Sequence, residues 1–360
     1  MQIHNLPDLG WNHFFQSQLE LESLDSQLPF RVVSVQRNRI ECLGLDNEGR
    51  QMPLSFSTYH WRHEPPELHP AVGDWLMVNL EHQPLHLLQR KSLIKRRGAG
   101  RESSIQLIAS NIDTVFIVTS CNEEFSINRI ERYLSIAAES HIHALVVLTK
   151  TDLVTEVSSY LSEIAHAHPE LPVEPVNATD PANLRTLEKW IGYGQTVALL
   201  GSSGVGKSTI INGLKGQQEQ ITGAIRESDS KGRHTTTARS LHQLANGGLL
   251  LDNPGMRELQ LVDSEQGIKS TFSDIDLLSE ACRFKDCQHK SEPGCAVAAA
   301  VKTGRLDQRR LDNYQKLLAE QARNNVSLAE RRSNDRALGR FYKSAQKSSK
   351  RFKSKALTCD

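Results

Sequence analysis

The chain lacks a net charge to speak of: 43 lysines and arginines stand against 42 aspartates and glutamates in 360 residues. Overall charge therefore neither selects nor excludes nucleic acid, membrane surfaces or acidic substrates as partners. No secretory leader is expected either. The opening MQIHNLPDLGWNHFF has no basic segment followed by an apolar one, so no secretory signal is read there. No apolar run approaches the roughly 18–20 residues that span a bilayer. These absences predict a cytoplasmic protein with no membrane contact and with reduced thiols. Of the six cysteines, Cys282, Cys287 and Cys295 crowd together, which suits a metal better than disulfides.

What is present is unevenly spread. Ten basic residues lie between Arg331 and Lys355, with Asp335 the only acid among them. Such a run fits an RNA-contacting helix or arm, or simply a solvated charged helix. The length suits two or three domains at about 100–200 residues each. Residues 1–29 read as a polar extension with a WNHFF patch. Over 30–95, short alternating runs (FRVVSVQ, RIECLGL, RQMPLSF, DWLMVNL, LHLLQR) are separated by turn residues. That texture predicts a small β-barrel, with an OB-fold as the leading form. The segment KSLIKRRGAGRESS, 91–104, reads as a linker or mobile loop. Residues 96–265 then alternate strands and helices, the pattern of a parallel, doubly wound α/β domain. Residues 266–330 hold the cysteine cluster, and 331–360 form the basic tail. The expected fold class is thus multidomain α/β, ending in a metal-binding helical module.

GSSGVGKST, Gly201 to Thr209, satisfies G-x-x-x-x-G-K-[ST] between a predicted strand and a predicted helix. Gly201, Gly204 and Gly206 let the backbone around Ser202, Ser203 and Val205 curl its N–H groups onto phosphate. Lys207 supplies charge for the β- and γ-phosphates, and Ser208 offers a hydroxyl to Mg²⁺. LLLDNPG supplies the other half. Asp252 ends an apolar strand and can hold Mg²⁺ through water, and the N–H of Gly255 can reach the γ-phosphate. Between them GRHTTT offers Thr236 to the metal, with Thr235 and Thr237 as competitors.

LTKTDL contains an [NT]-K-x-D tetrad, Thr149, Lys150, Thr151 and Asp152. A carboxylate at Asp152 accepts both donors on guanine's base edge, which adenine lacks. Lys150 would lie along the base and brace the phosphate loop. VNATD ends the next strand, where Asn177 and the backbone of Ala178 can meet the guanine carbonyl. These base motifs precede the phosphate loop, whereas GTPases usually begin with it. Joining old termini and opening the chain elsewhere preserves the site, so the domain reads as a circularly permuted GTPase. Thr149 stands where many GTPases have Asn, and Met256 where many have the water-orienting Gln. His234 is the candidate for that water. CRFKDCQHKSEPGC sets Cys282, Cys287, His289 and Cys295 in a C-x₄-C-x-H-x₅-C pattern. This is a closed set for one structural Zn²⁺ per chain.

The combination of barrel, permuted motif order, GRHTTT and C-x₄-C-x-H-x₅-C closely resembles the RsgA (YjeQ) family of small-ribosomal-subunit biogenesis GTPases. The resemblance covers nearly the whole chain except the first thirty residues. It implies an OB-fold, a permuted GTPase and a zinc finger acting on the 30S subunit and its 16S rRNA late in assembly. It also implies GTP hydrolysis to GDP that is slow alone and stimulated by the ribosomal particle, on a chain expected to be monomeric. Carried onto this sequence, the guanine site is Thr149–Asp152, the phosphate site Gly201–Thr209, and the zinc ligands are the four named. The other readings of the residues are a P-loop ATPase or small-molecule kinase, and an RNA-binding factor with a structural nucleotide.

Overall fold

Strand alternation organises the centre of the computed structural model, which describes residues 3–20, 26–97, 105–222, 239–252, 261–290 and 292–325. In β8 (Thr114–Ser120) Val115 and Ile117 join one core, and Phe116 and Val118 join another. β9 (His143–Thr149) and β11 (Thr196–Leu200) alternate in the same way. A strand buried on both faces needs apolar residues at every position, and these runs supply them. On one face pack α2 (Ile127–Glu139) and the C-terminal helices. On the other pack α4 (Pro181–Glu188) and α5 (Lys207–Thr222). The helices on both faces make a doubly wound α/β sheet.

Local chemistry starts these helices where they start. The Ser126 hydroxyl accepts the Arg129 N–H at the head of α2, whose Ile127, Ile130 and Ile136 return at helical spacing to one buried face. Asp180 caps α4 on the Ala182 N–H, and Pro181 fills its first turn. Among the described residues, a short helix α1 (His13–Gln16) and α3 (Ser158–Ala167) complete the set before α5.

Strands run in the order β10–β9–β8–β11–β13–β12–β1–β2–β3, where β10 is Val173–Pro175, β12 Arg239–Gln243, β13 Leu249–Asp252, β1 Gln27–Val35, β2 Arg39–Leu45 and β3 Gln51–Ser57. β10, β9, β8, β11 and β13 are parallel, but β12 is antiparallel to β13. The sheet is therefore mixed at this edge, because the β12–β13 connection is a tight hairpin with a left-handed Gly247 and no crossover helix.

The expected N-terminal strands appear as β1 (Gln27–Val35), β2 (Arg39–Leu45), β3 (Gln51–Ser57), β4 (Trp75–Asn79) and β5 (Pro84–Leu87). They pair antiparallel in the order β3–β2–β1–β4–β5, with bulges in the β1–β2 and β4–β5 ladders. Among the described residues no ladder joins β3 to β5. Residues 3–20 are not a loose extension. Ile3, Leu9 and Phe15 are buried against Trp75 and Met77.

Two features were not in the sequence reading. β1 pairs with β12 at Ser34–Ser240 and Val35–Arg239, so one continuous sheet crosses from the N-terminal unit into the α/β unit. Residues 91–104 are also not wholly a linker. β6 (Leu93–Arg97) pairs with β7 (Ile105–Ser110), a strand the sequence reading left out, and residues 98–104 lie outside the described part. Leu107, Ile108 and Ala109 are buried, and that burial holds the hairpin in place.

Among the described residues four C-terminal helices follow: α6 (Glu265–Thr271), α7 (Ser273–Ser279), α8 (Ala296–Lys302) and α9 (Gln308–Asn325). Ile268, Phe272, Ile275, Val297, Leu311, Tyr314 and Leu317 share one core with Ile130 and Ile136 of α2. No helix among the described residues is long and apolar enough to cross a membrane.

Candidate nucleotide site and metal centre

Parallel strands place their carboxyl ends on one edge, where ligands of open α/β sheets bind. Here that edge collects the motifs. β9 ends in Thr149, β11 runs into Gly201, β13 ends in Asp252, and the chain after β10 carries Asn177 and Ala178. β8 lies between β9 and β11, and β13 flanks β11 on its other side. At about 4.8 Å per strand, the axes of β9 and β11 stand about 10 Å apart and those of β9 and β13 about 14 Å. That span suits an extended nucleoside triphosphate.

The loop itself is built by backbone conformations that favour glycine. Gly201, Gly204 and Gly206 have φ of 152°, 81° and 97°. A Cβ on Gly201 would lie 2.4 Å from the Val118 carbonyl oxygen, so only glycine lets the loop leave β11 beside β8. Ser202 is half-buried, Ser203 is exposed and Val205 is buried. The buried Lys207 turns its ammonium onto the carbonyls of Gly201 (2.6 Å) and Ser202. Ser208 and Thr209 are exposed on the first turn of α5, beside the N–H groups that the helix leaves unpaired. Asp252 accepts from Lys215 Nζ at 2.9 Å. Sequence reasoning missed Lys215. Its signal was its place eight residues after Lys207, about two helical turns along the same face of α5.

Thr149 is fully buried. Its Oγ1 lies 2.6 Å from the Val205 carbonyl oxygen and 3.1 Å from that of Thr119. The brace from base motif to phosphate loop that the structure records thus comes from Thr149, whereas the sequence reading gave that role to Lys150. Lys150 follows in the left-handed region (φ 58°) and leads into a turn, Thr151–Leu153, that exposes Asp152. Val176 N–H donates to Leu148 O at 2.9 Å, keeping the two base motifs side by side. The Asn177 side chain accepts from Thr179, and Ala178 is buried. Gly255, His234 and Thr236 lie outside the described residues, as do the other threonines of GRHTTT and the tail 331–360.

The second centre lies in the C-terminal helices. The ligand atoms of Cys282, Cys287, His289 and Cys295 all fall within 4.8 Å of one another. Cys282 Sγ is 3.8 Å from Cys295 Sγ and 3.7 Å from His289 Nδ1, which is 3.5 Å from Cys295 Sγ. Burial pushes the Cys282 thiol up, but N–H donation from Val297 and Ala296 at the head of α8 brings it down overall. Burial raises the Cys287 thiol to about 11, and the neighbouring sulfurs add to the rise. Burial also lowers His289, which keeps its imidazole neutral and able to ligate. A cation among these atoms would reverse the order for the thiols, since it stabilises every thiolate at once. The cluster can hold a metal ion.

Fold and site together define a phosphate-loop GTPase whose base motifs precede its phosphate loop. The family model described as "RsgA GTPase" matches residues 87–262. "Small ribosomal subunit biogenesis GTPase RsgA 2" of Vibrio vulnificus is 46% identical over 98% of both chains. "Small ribosomal subunit biogenesis GTPase RsgA" of Mesorhizobium japonicum is 46% identical over 89% of this chain and 91% of its own. The chain belongs to the RsgA family of GTPases. Solved structures agree on the fold. YjeQ from Thermotoga maritima covers 82% of this chain and 98% of its own, at 23% identity and a TM-score of 0.59. YloQ, described as a circularly permuted GTPase, covers 83% of this chain and 96% of its own, at 22% identity and a TM-score of 0.58.

Proposed function

We propose that this GTPase serves late maturation of the 30S ribosomal subunit, binding 16S rRNA and leaving when GTP is hydrolysed. The relatives named for small-subunit biogenesis support this reading, since one of them matches along 98% of its own length. The observation that carries the chemistry is the common edge of Thr149, Gly201 and Asp252 across adjacent parallel strands. Asp152 reads guanine, with Thr149, Lys150, Thr151, Asn177 and Ala178 around the base. Residues 201–209 cradle the phosphates, with Lys207 at the β- and γ-oxygens. Mg²⁺ takes Ser208, Asp252 through water, and Thr236. One lysine N–H leaves the Asp252 carboxylate further lone pairs for that water. Gly255 senses the γ-phosphate and His234 orients water.

The metal is zinc in this reading. Tetrahedral zinc with about 2.3 Å to sulfur and about 2.0–2.1 Å to nitrogen sets S···S near 3.8 Å and S···N near 3.6 Å. The observed 3.8, 3.7 and 3.5 Å match that frame. With four protein ligands the ion is structural. The N-terminal strands act as an OB-type platform which, with the zinc module and the basic tail, holds rRNA. The domain limits proposed from the sequence, a monomeric chain and a cytoplasmic location complete the reading. The test is GTP turnover with and without purified 30S subunits. Stimulation of at least about tenfold, which is about 1.4 kcal/mol of barrier, is expected. Equal turnover in both arms refutes the ribosomal role.

A further inference from the structure

Helix α2 touches the phosphate loop and, through α9, is tied to the metal-binding loop. One side of it meets the phosphate loop. Arg129, Ile130 and Tyr133 enclose with Ser202 and Val205 a gap of only about 10 Å³. A space that small barely admits one water, so any shift of the loop is felt by the helix. The other side carries Glu131, whose side chain is fully buried. Arg309 donates to its two oxygens at 3.0 and 3.2 Å, Arg310 donates at 3.0 Å, and Asn313 adds a further bond. The next residue, Arg132, holds Glu320 bidentately. These four partners, Arg309, Arg310, Asn313 and Glu320, belong to α9, and the His168 imidazole at the end of α3 lies 3.6 Å from the same Glu131 carboxylate.

Helix α9 in turn holds the metal-binding loop. Gln315 donates to the carbonyls of His289 (3.1 Å) and Gln288 (3.2 Å). Arg310 reaches Asp274 of α7 and the Thr271 carbonyl of α6. Helix α6 is seated hard on α2. A Cβ on Gly267 would lie 2.1 Å from the Ser135 carbonyl oxygen, and Glu139 accepts the Gly267 N–H. Apolar packing supplies most of the adhesion here, but it does not fix register. A buried carboxylate with three directional partners does.

We infer that Glu131 is a positioning residue that locks α9, and with it the metal-binding loop, to the helix backing the phosphate loop. A change of state at the phosphates then reaches the zinc-type module through α2, without passing through the chain that follows Asp252. The inference rests on the reading of residues 201–209 as the nucleotide site.

The experiment is backbone amide exchange in α9 of the full-length protein, with and without a saturating non-hydrolysable GTP analogue whose binding is titrated separately. Coupling energies of about 0.5–2 kcal/mol predict that the analogue slows wild-type α9 exchange by roughly twofold or more. In E131Q the analogue should bind within about twofold of wild type, yet its effect on α9 should vanish. A merely structural role would speed exchange in both states and leave the ratio intact. R309Q, whose side chain is partly exposed, is the gentler variant should E131Q lose its metal or its fold, and it should at least halve the effect. E131D should restore part of it. Analogue-induced slowing equal to wild type in a folded E131Q, or in R309Q, overturns the inference. So does unchanged α9 exchange in wild type with the analogue bound. If the analogue does not bind at all, the titration shows it, and the nucleotide-site reading falls together with this one.

Discussion

Replacing Thr149 by valine removes one hydroxyl and almost no volume. The methyl that takes its place keeps the packing around Gly206, whose Cβ position lies 3.5 Å from Thr149 Oγ1. What disappears is the donor to Val205 O at 2.6 Å, along with the weaker contact to Thr119 O at 3.1 Å. A threonine hydroxyl has a single proton, so the shorter bond carries most of the energy. Leaving a buried carbonyl unpaired costs about 1–3 kcal/mol. For a domain of this size that lowers the melting temperature by about 2–4 °C per kcal/mol. The loss falls on the phosphate loop, which must then be ordered at the expense of binding energy. If about 1 kcal/mol of the cost reappears on binding, GDP affinity drops about fivefold. Thermal melts and fluorescence titration of GDP against T149V measure the two effects. A variant that melts and binds as wild type does would show that the contact to Val205 is packing only.

Cys287→Ser should release the metal, because three remaining ligands cannot close a tetrahedral site. Elemental analysis of wild type at one zinc per chain, and of the variant near zero, is the expected pair, and wild type without zinc ends the assignment. Asp152→Asn turns an acceptor oxygen into a donor facing guanine's own donors. GDP affinity should fall at least about tenfold, with xanthine nucleotides partly restored, as one lost hydrogen bond and the donor now facing a donor require. Acid should loosen the α2–α9 clamp. Burial alone would raise the Glu131 carboxyl, but hydrogen bonds from His168, Arg309 and Asn313 and the Arg309 charge hold it at about 2, below its ordinary 4.5. Its contribution is therefore complete above about pH 4.5 and fades as pH falls toward about 2, amounting to on the order of 3 kcal/mol. Melting curves from pH 6 to 3 should be steeper in pH for wild type than for E131Q, and parallel curves contradict the assignment.

Much of this molecule is legible locally. The strands β1 to β5 follow from alternation and turn residues, and the phosphate loop from its glycines and Lys207. The cluster of Cys282, Cys287, His289 and Cys295 follows from cysteine and histidine spacing, because each of these depends on neighbours a few residues away. β7 was passed over beside a glycine-containing basic stretch, and β12 beside GRHTTT. Neither strand is identifiable until its partner is known, since pairing is what stabilises a short strand. Motif chemistry survives permutation for a related reason. Base and phosphate groups recognise side-chain types, not chain order.

Tertiary structure decided what lies next to what. Only the order β9–β8–β11–β13 shows that the base and phosphate motifs share one edge. Only the β1–β12 ladder shows that the N-terminal strands extend the central sheet. In the sequence Thr149 only stands where many GTPases have Asn, and its burial against Val205 shows it bracing the loop. Glu131 is one charge among many in the sequence of an amphipathic helix. Its meaning comes from Arg309, Arg310 and Asn313, nearly two hundred residues away and reached by long-range packing that no local pattern encodes.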